Sequence, residues 1–375
     1  MKNLTQLREQ IDAVDKQIVE LFEQRMQISA DVAKYKISIG KKVFDKEREQ
    51  AKLASLKEMA HNDFNRHGVE ELFQQIMSMS RKLQYQLLAQ NGASGRLPFI
   101  AVDDIDRTNI RVVYQGVEGA YSHAAMRVYF GDDVNCFHVR SFRDAMEAIA
   151  EGAADYAVLP IENSSAGAVT DNYDLLLKYD NVIVAETFLP VHHYLLGTPD
   201  AELSDVKRVY AHPQALMQSS DFLNQHDWQQ LSMENNAVAA QKVRDEKDPS
   251  QAAVAGEVAG EIYGLKKLAG PINNCPDNTT RFLILAKDRV YQAGAEKISL
   301  CFELPHRSGT LYSMLGNFIF NDVNMRMIES RPIPEESWQY RFFVDIEGNL
   351  EEAGVQNALY GIMREAKNVK ILGNY

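Results

Sequence analysis

Residues 4–36 read LTQLREQIDAVDKQIVELFEQRMQISADVAKYK, and this stretch decides the fold of the first quarter of the chain. Leu4, Leu7, Ile11, Val14, Ile18 and Leu21, then Ile28, Val32 and Tyr35, recur three and four residues apart, the period of an apolar stripe on one helix face. A helix through residue 36 is roughly 50 Å long at 1.5 Å per residue. A 90-residue domain cannot cover it alone, so it is expected to pair with a second copy of itself as an intertwined helical dimer. One seam position breaks the pattern: Arg25, between Leu21 and Ile28. A polar residue in a seam can fix register, but a buried cation also needs a partner, because desolvating it alone is costly.

Working outward, residues 1–90 read as helices only. No proline precedes Pro98, and Gly40 and Gly68 are expected in the breaks between helices. Arg8 and Lys36 lie beside the same seam near its two ends, and the segment VFDKERE adds Asp45, Arg48 and Glu49. A third helix, VEELFQQIMSMSRKLQYQLL, carries Val69, Phe73, Ile76, Leu83 and Leu87 in its seam. Ser80 stands where an apolar residue is due, and Gln84 follows one turn later. Singly, each reads as a solvated face or a register device. As a set they describe a pocket in a helical bundle that suits a small dianion carrying a hydroxyl and another polar oxygen. No nucleophile–base pair, metal-ligand cluster or cofactor loop accompanies them. Chemistry there is expected to rest on orientation and electrostatics, as in a pericyclic rearrangement.

The 375 residues allow two or three domains. A net charge of −12 argues against a nucleic-acid partner. Cys136, Cys275 and Cys301 have no CxxC spacing and read as reduced, buried thiols of a cytoplasmic protein. The charged N-terminus lacks a signal-peptide core, and no apolar run of 18 residues would span a membrane. Residues 91–109 read as a linker. From 110 to 288, β-rich runs alternate with helical ones, which indicates α/β. From 297 to 375 the order is strand, helix, strand, strand, helix, strand, the ferredoxin-like pattern.

In the α/β region, Gly116 and Gly119 precede a helix beginning Tyr121-Ser122-His123, a turn able to hold an anion. The strand YAVLPI ends in Glu162-Asn163-Ser164, where ligands of α/β sheets sit. FLPVHHYLLG and VYAHPQALMQ read as strands bearing His193 and His212 near their ends, with Gln214 or Gln218 near the cleft. The stretch PDNTTRFLIL leads back into the sheet and places Asn278, Thr279, Thr280 and Arg281 at its threshold. Consecutive strand residues face opposite ways, so Thr280 and Arg281 share a site only if the pleat is broken there.

These residues carry three resemblances. Residues 1–90 resemble the all-helical chorismate mutase family. The resemblance implies that Arg25 and Arg48 hold substrate carboxylates, with Arg8 reaching in from a second subunit. It further implies that Lys36 binds a carboxylate and the breaking ether oxygen, Gln84 shares that oxygen, Glu49 and the Asp45 backbone hold the ring hydroxyl, and Ser80 lines the site. GxxGAYSxxAA, PIENSSAG, HPQALxQ and NxTRF, in that order, are similar to prephenate dehydratase, a two-lobed fold resembling periplasmic binding proteins. Thr280 is then the essential hydroxyl, helped by water or Glu162. Glu162, Asn163, Ser164, His212, Gln218, Asn278, Thr279 and Arg281 become substrate-binding candidates. The chain departs from the family pattern at Ala211, where Ser is common, and at Asn273-Asn274, where Asp is common. The last segment resembles an ACT regulatory domain of the phenylalanine-binding kind, on Gly309-Thr310-Leu311 and Glu329-Ser330-Arg331-Pro332, with Thr310 in place of the usual alanine. Together these imply a multidomain bifunctional enzyme of L-phenylalanine biosynthesis. It would act on chorismate and prephenate, need no cofactor or metal, respond to L-phenylalanine, and be at least a dimer. A catalytically silent small-molecule-binding regulator retaining these folds is the alternative.

Overall fold

The computed structural model describes residues 3–41, 43, 45–91, 97–334, 336 and 338–375. They separate into two compact units: residues 1–98 with 296–371, and residues 99–295 with 372–375.

The first unit opens with the helix Leu4–Ser38, capped by Asn3 and Gln6 in a reciprocal box. Only Ala33 of this helix is buried. Its apolar stripe stays bare: Leu4 is 63 % exposed, Leu21 65 % and Tyr35 66 %. Gly40 takes the turn that follows, at φ +64°. The second helix, Lys46–Glu58, is capped by Asp45, and the third spans Asp63–Gln90. Gly68 therefore lies inside a helix, contrary to the reading of it as a break. The chain turns earlier, at Asn62, whose side chain accepts from Asn65 N at 2.8 Å. A glycine inside a helix costs only about 1 kcal/mol, which tertiary packing overrides.

The third helix packs on the first two and also on helices Thr310–Ile319 and Ala353–Glu365. Those two belong to a βαββαβ segment whose strands lie in the order Met325–Pro332, Tyr340–Glu347, Lys297–Glu303, Lys367–Asn374. The alternating burial of Met325–Pro332 is that of a sheet edge with one face covered.

Two runs of five strands build most of the second unit. One runs Val182–Pro190, Thr279–Ala286, Tyr156–Asn163, Arg111–Gln115, Asn135–Val139; the other runs Lys266–Ala269, Tyr194–Gly197, Gln251–Ala255, Arg208–Ala211, Gln229–Ser232. FLPVHHYLLG is thus not one strand. It leaves the first sheet at Pro190 and enters the second at Tyr194, with His192 and His193 on the crossing. Asn273 ties this crossing to the return crossing, accepting from His193 N at 2.7 Å and donating to Val191 O at 2.8 Å. Gly119 (φ +83°) is required for contact, since a Cβ there would lie 2.9 Å from Ala259 Cα. The expected linker 91–109 also needs correction, because Ile100–Val102 is a strand paired in parallel with Val290–Gln292. Ile105 is buried in the core of the first sheet beside Phe99. The run FIAV was too short to outweigh its polar surroundings.

Candidate active sites

In the first unit, the first and third helices bring Arg25 against Ser80. Arg25 Nη1 donates to Ser80 Oγ at 2.5 Å, and Ser80 Oγ donates to Ile76 O at 2.9 Å. Lys36 Nζ donates to Val43 O. Asp45 accepts from Arg48 N at 3.2 Å and so fixes the start of the second helix. The charges of these residues act on one another. Burial lowers the pKa of Arg25, opposed by Glu49. Burial also lowers that of Lys36, opposed by Asp45 and Glu49 and reinforced by Lys41 and Arg48. Cations desolvated without full compensation favour an incoming anion. Gln84 is buried, and its Oε1 has no hydrogen-bond partner among the described residues. Arg8 is exposed and stands 17 residues before Arg25, roughly 25 Å along the helix. One chain alone does not bring it to this pocket. The sequence reading missed Arg81, which is buried and binds both Glu49 and Glu365.

In the second unit, Thr280 is 8 % exposed and directly bonded to Asn163, whose Nδ2 donates to Thr280 Oγ1 at 2.8 Å. The orientation of the Asn163 amide is not arbitrary. Its oxygen accepts from Ser165 N at 3.1 Å and from Ala166 N at 2.9 Å, and two backbone donors can meet only the oxygen. Its nitrogen therefore faces Thr280, and the Thr280 hydroxyl proton is left to point elsewhere. Behind Asn163 the bonds run in series. Ser165 Oγ donates to Asn163 Oδ1 at 2.8 Å, Gln218 Nε2 donates to Ser165 Oγ at 2.6 Å, and His193 Nε2 meets Gln218 Oε1 at 3.0 Å. His193 Nδ1 lies 2.7 Å from Tyr121 Oη. Burial lowers the pKa of His193, opposed by its bond to Gln218, and so favours the uncharged ring. Asn278, 1 % exposed, accepts from Asn163 Nδ2 at 2.8 Å, while its own Nδ2 has no partner among the described residues.

The other expected residues are placed differently. Glu162 neighbours Asn163 on its strand and so faces the opposite side; Asn163, not Glu162, contacts Thr280. Arg281 lies opposite Glu162 and Phe282 opposite Pro160, leaving Ile161 as an extra residue in the register. The irregularity falls after Arg281, so Thr280 and Arg281 still face opposite ways. Arg281 Nε donates to Glu186 at 2.7 Å and its Nη2 to Tyr375 Oη at 2.8 Å. Thr279 N donates to Ser164 Oγ at 2.9 Å, and the Thr279 hydroxyl bonds Asp277 O. His212 caps helix Pro213–Gln218 by accepting from Gln214 N at 3.2 Å. Ser165, His193 and Tyr121 were legible only as parts of motifs, since their connection needs both crossings to fold.

In the βαββαβ segment, Gly309 (φ +80°) opens helix Thr310–Ile319 in a conformation side chains resist. The Thr310 hydroxyl donates to Pro305 O and Arg307 O, so it braces the loop; Leu311 follows in the first turn. Glu329, Ser330, Arg331 and Pro332 pair with Phe343, Phe342, Arg341 and Tyr340.

Two family models match the chain. The family model for chorismate mutase type II matches residues 7–85, and that for prephenate dehydratase matches residues 112–290. The bifunctional chorismate mutase/prephenate dehydratase of Escherichia coli (strain K12) is 34 % identical over 99 % of this chain and 96 % of its own length. The protein of the same description from Enterobacter agglomerans is 33 % identical over 99 % and 95 %. A prephenate dehydratase from Arthrobacter aurescens, solved in complex with L-Phe, superposes with a TM-score of 0.66 at 29 % identity, covering 71 % of this chain and 90 % of that one.

Proposed function

Because the chain belongs to the family of bifunctional chorismate mutase/prephenate dehydratases, we propose that its two reactions are carried by the two hydrogen-bonded clusters around Arg25 and Thr280. The protein rearranges chorismate to prephenate, and converts prephenate to phenylpyruvate with loss of carbon dioxide and the ring hydroxyl.

In the rearrangement no proton moves and no covalent intermediate forms; the enzyme holds the reactive conformer and meets the charge that gathers on the ether oxygen. Arg25 and Arg48 hold the carboxylates, Lys36 and Gln84 attend the ether oxygen, Glu49 and the Asp45 backbone hold the ring hydroxyl, and Ser80 orients Arg25. The mutual influence of Arg25, Lys36, Asp45 and Glu49 supports one pocket. Arg8 completes it from a second copy, which the bare seam of the first helix supports: nine apolar seam residues from Leu4 to Tyr35 are exposed.

The dehydration rests on the donor direction at Thr280. An alcohol is a weak acid, but its O–H is a better donor when its oxygen accepts a bond from Asn163. Thr280 meets the leaving hydroxyl, and departure of carbon dioxide supplies the electrons that aromatise the ring. Of the groups bonded in this chain, Asn163, Ser165 and Gln218 carry no charge, and burial favours the uncharged ring of His193. An unpaired leaving carboxylate is not stabilised in the ground state. Asn278 Nδ2 offers a donor to the substrate. Glu162, Ser164, His212, Thr279 and Arg281 shape the surroundings, with Arg281 holding its strand to Glu186 and Tyr375.

The C-terminal segment acts as an ACT domain that binds L-phenylalanine at Gly309-Thr310-Leu311 and Glu329-Ser330-Arg331-Pro332 and restrains the enzyme. The βαββαβ order and the L-Phe complex of the Arthrobacter protein support this. Three free cysteines suit a reducing cytoplasm, although only Cys301 is buried as expected: Cys136 is half-buried, and Cys275 is exposed in the turn ahead of strand Thr279–Ala286. The observation that carries the dehydratase reading is the Asn163–Thr280 bond. It is tested by following chorismate loss and phenylpyruvate formation together in the ultraviolet. Thr280→Ala consumes chorismate normally and accumulates prephenate; unchanged phenylpyruvate output overturns the assignment. A catalytically silent regulator shows neither conversion.

A further inference from the structure

We propose that Arg81 is a positioning residue for the mutase reaction: it holds Glu49 at the wall of the chorismate pocket and, through Glu365, ties that pocket to the last helix of the C-terminal segment. The proposal rests on the assignment of Glu49 to the mutase site.

One guanidinium serves two carboxylates. Arg81 Nη1 pairs with Glu49, and its Nη2 lies 3.1 Å from Glu365 Oε1. The side chains are 10 %, 24 % and 16 % exposed for Arg81, Glu49 and Glu365, so water screens the triad poorly. A planar fork can bind two acceptors at fixed angles, which a lysine cannot. Glu365 is the last residue of helix Ala353–Glu365, where the helix dipole disfavours a carboxylate; Arg81 compensates it, with Ser313 Oγ at 3.5 Å and Lys82 within its field. The next residue anchors the same junction. Lys82 is 5 % exposed; its ammonium donates to Gly316 O and sits 3.2 Å from the centre of the Phe320 ring. Helix Asp63–Gln90 thus touches substrate-facing residues on one side and both C-terminal helices on the other.

Glu49 is the shared element. Burial raises its pKa, Arg81 lowers it, Glu365 raises it and Lys36 lowers it. Arg25 and Tyr85 also lie within its field. Any shift of the last helix that changes how Glu365 and Glu49 divide Arg81 changes the charge and aim of Glu49. The C-terminal segment therefore acts on the first reaction through three side chains, without touching chorismate.

The test is the pH profile of mutase kcat/KM for the full-length chain, with dehydratase activity on supplied prephenate as the check of folding. Arg81→Gln removes the cation, so the acid limb moves to higher pH and kcat falls on the order of 10- to 100-fold. Glu365→Gln removes the repelling charge, so the acid limb moves to lower pH. Arg81→Lys keeps the charge but loses the fork, leaving the limb near its wild-type place while kcat falls. Acid limbs that stay in place, or move the same way, in Arg81→Gln and Glu365→Gln overturn the inference. Should Arg81→Gln lose both activities through misfolding, the direction seen in Glu365→Gln decides alone. If Glu49→Gln leaves mutase kinetics unchanged, the site assignment itself fails, an outcome distinct from failure of the Arg81 link.

Discussion

At the scale of single residues, the Asn163 amide sets the chemistry of Thr280, because two backbone N–H groups fix which end of it faces the hydroxyl. Asn163→Asp is nearly isosteric but presents oxygen at both ends. Thr280 must then donate to the carboxylate, and its proton is withdrawn from the substrate. Dehydratase kcat is expected to fall by roughly 10²–10⁴-fold, the usual worth of a positioned proton donor. Chorismate consumption should continue at its normal rate, and prephenate should build up. Retention of phenylpyruvate formation would falsify the donor direction drawn for Thr280. The Thr280 and Asn163 candidates were visible in NxTRF and PIENSSAG. The roles of Ser165, Gln218 and His193 as one series were not, because the series joins strand ends to a helix and a crossing far apart in sequence.

At the scale of elements, the third helix explains both what the sequence revealed and what it concealed. Its seam was legible because apolar spacing follows directly from 3.6 residues per turn. Its other face was not, since no spacing within the helix shows that the C-terminal helices cover Arg81 and Lys82. Burial lowers the Lys82 pKa from 10.5 to about 7, with Glu365 opposing and Arg81 reinforcing the shift. The unfolded chain then holds a proton that the folded chain lacks between about pH 7 and 10.5, so Lys82 makes stability rise with pH across that window. Below pH 7 the folded state carries the buried charge and its full penalty. Lys82→Met should therefore raise the melting temperature most at pH 6, with the gain shrinking toward pH 10 in thermal scans. An equal gain at every pH would show that the ammonium is not titrating in the fold. Gly68 teaches the complementary lesson: a glycine inside a well-packed helix is tolerated, and Asn62 holds the actual start.

At the scale of the whole molecule, the first helix exposes its seam and places Arg8 far from Arg25 in the same chain. If the pocket is shared between copies, Arg8→Ala and Arg25→Ala each abolish mutase activity. Co-expression of the two variants restores one intact site per mixed dimer, about a quarter of wild-type activity for random pairing into symmetric dimers. No recovery would place both arginines outside a shared site. L-phenylalanine binding to the C-terminal segment should lower the affinity for prephenate by roughly 5–150-fold, the range of a coupling of about 1–3 kcal/mol. Linkage requires prephenate to weaken L-phenylalanine binding by the same factor. Calorimetry with each ligand in the absence and presence of the other measures both. Unequal factors, or none, would remove the ligand-linked restraint.

The sequence by itself determined the local periodicities and the motifs. The helical seam with Arg25, the βαββαβ order and the NTTRF threshold all depend on neighbours within a few turns or one strand, where spacing maps directly onto a face. Tertiary structure decided everything that needs two distant segments at once. It made Ile100–Val102 a strand by supplying Val290–Gln292, split FLPVHHYLLG between two sheets, and put Arg281 on Glu186 and Tyr375. It also gave Arg81 its two carboxylates, one 32 and the other 284 residues away in sequence. The physical reason is that a charge or amide gains its meaning from burial and partner. Both are properties of chain segments that meet only after folding, and no window of sequence contains them.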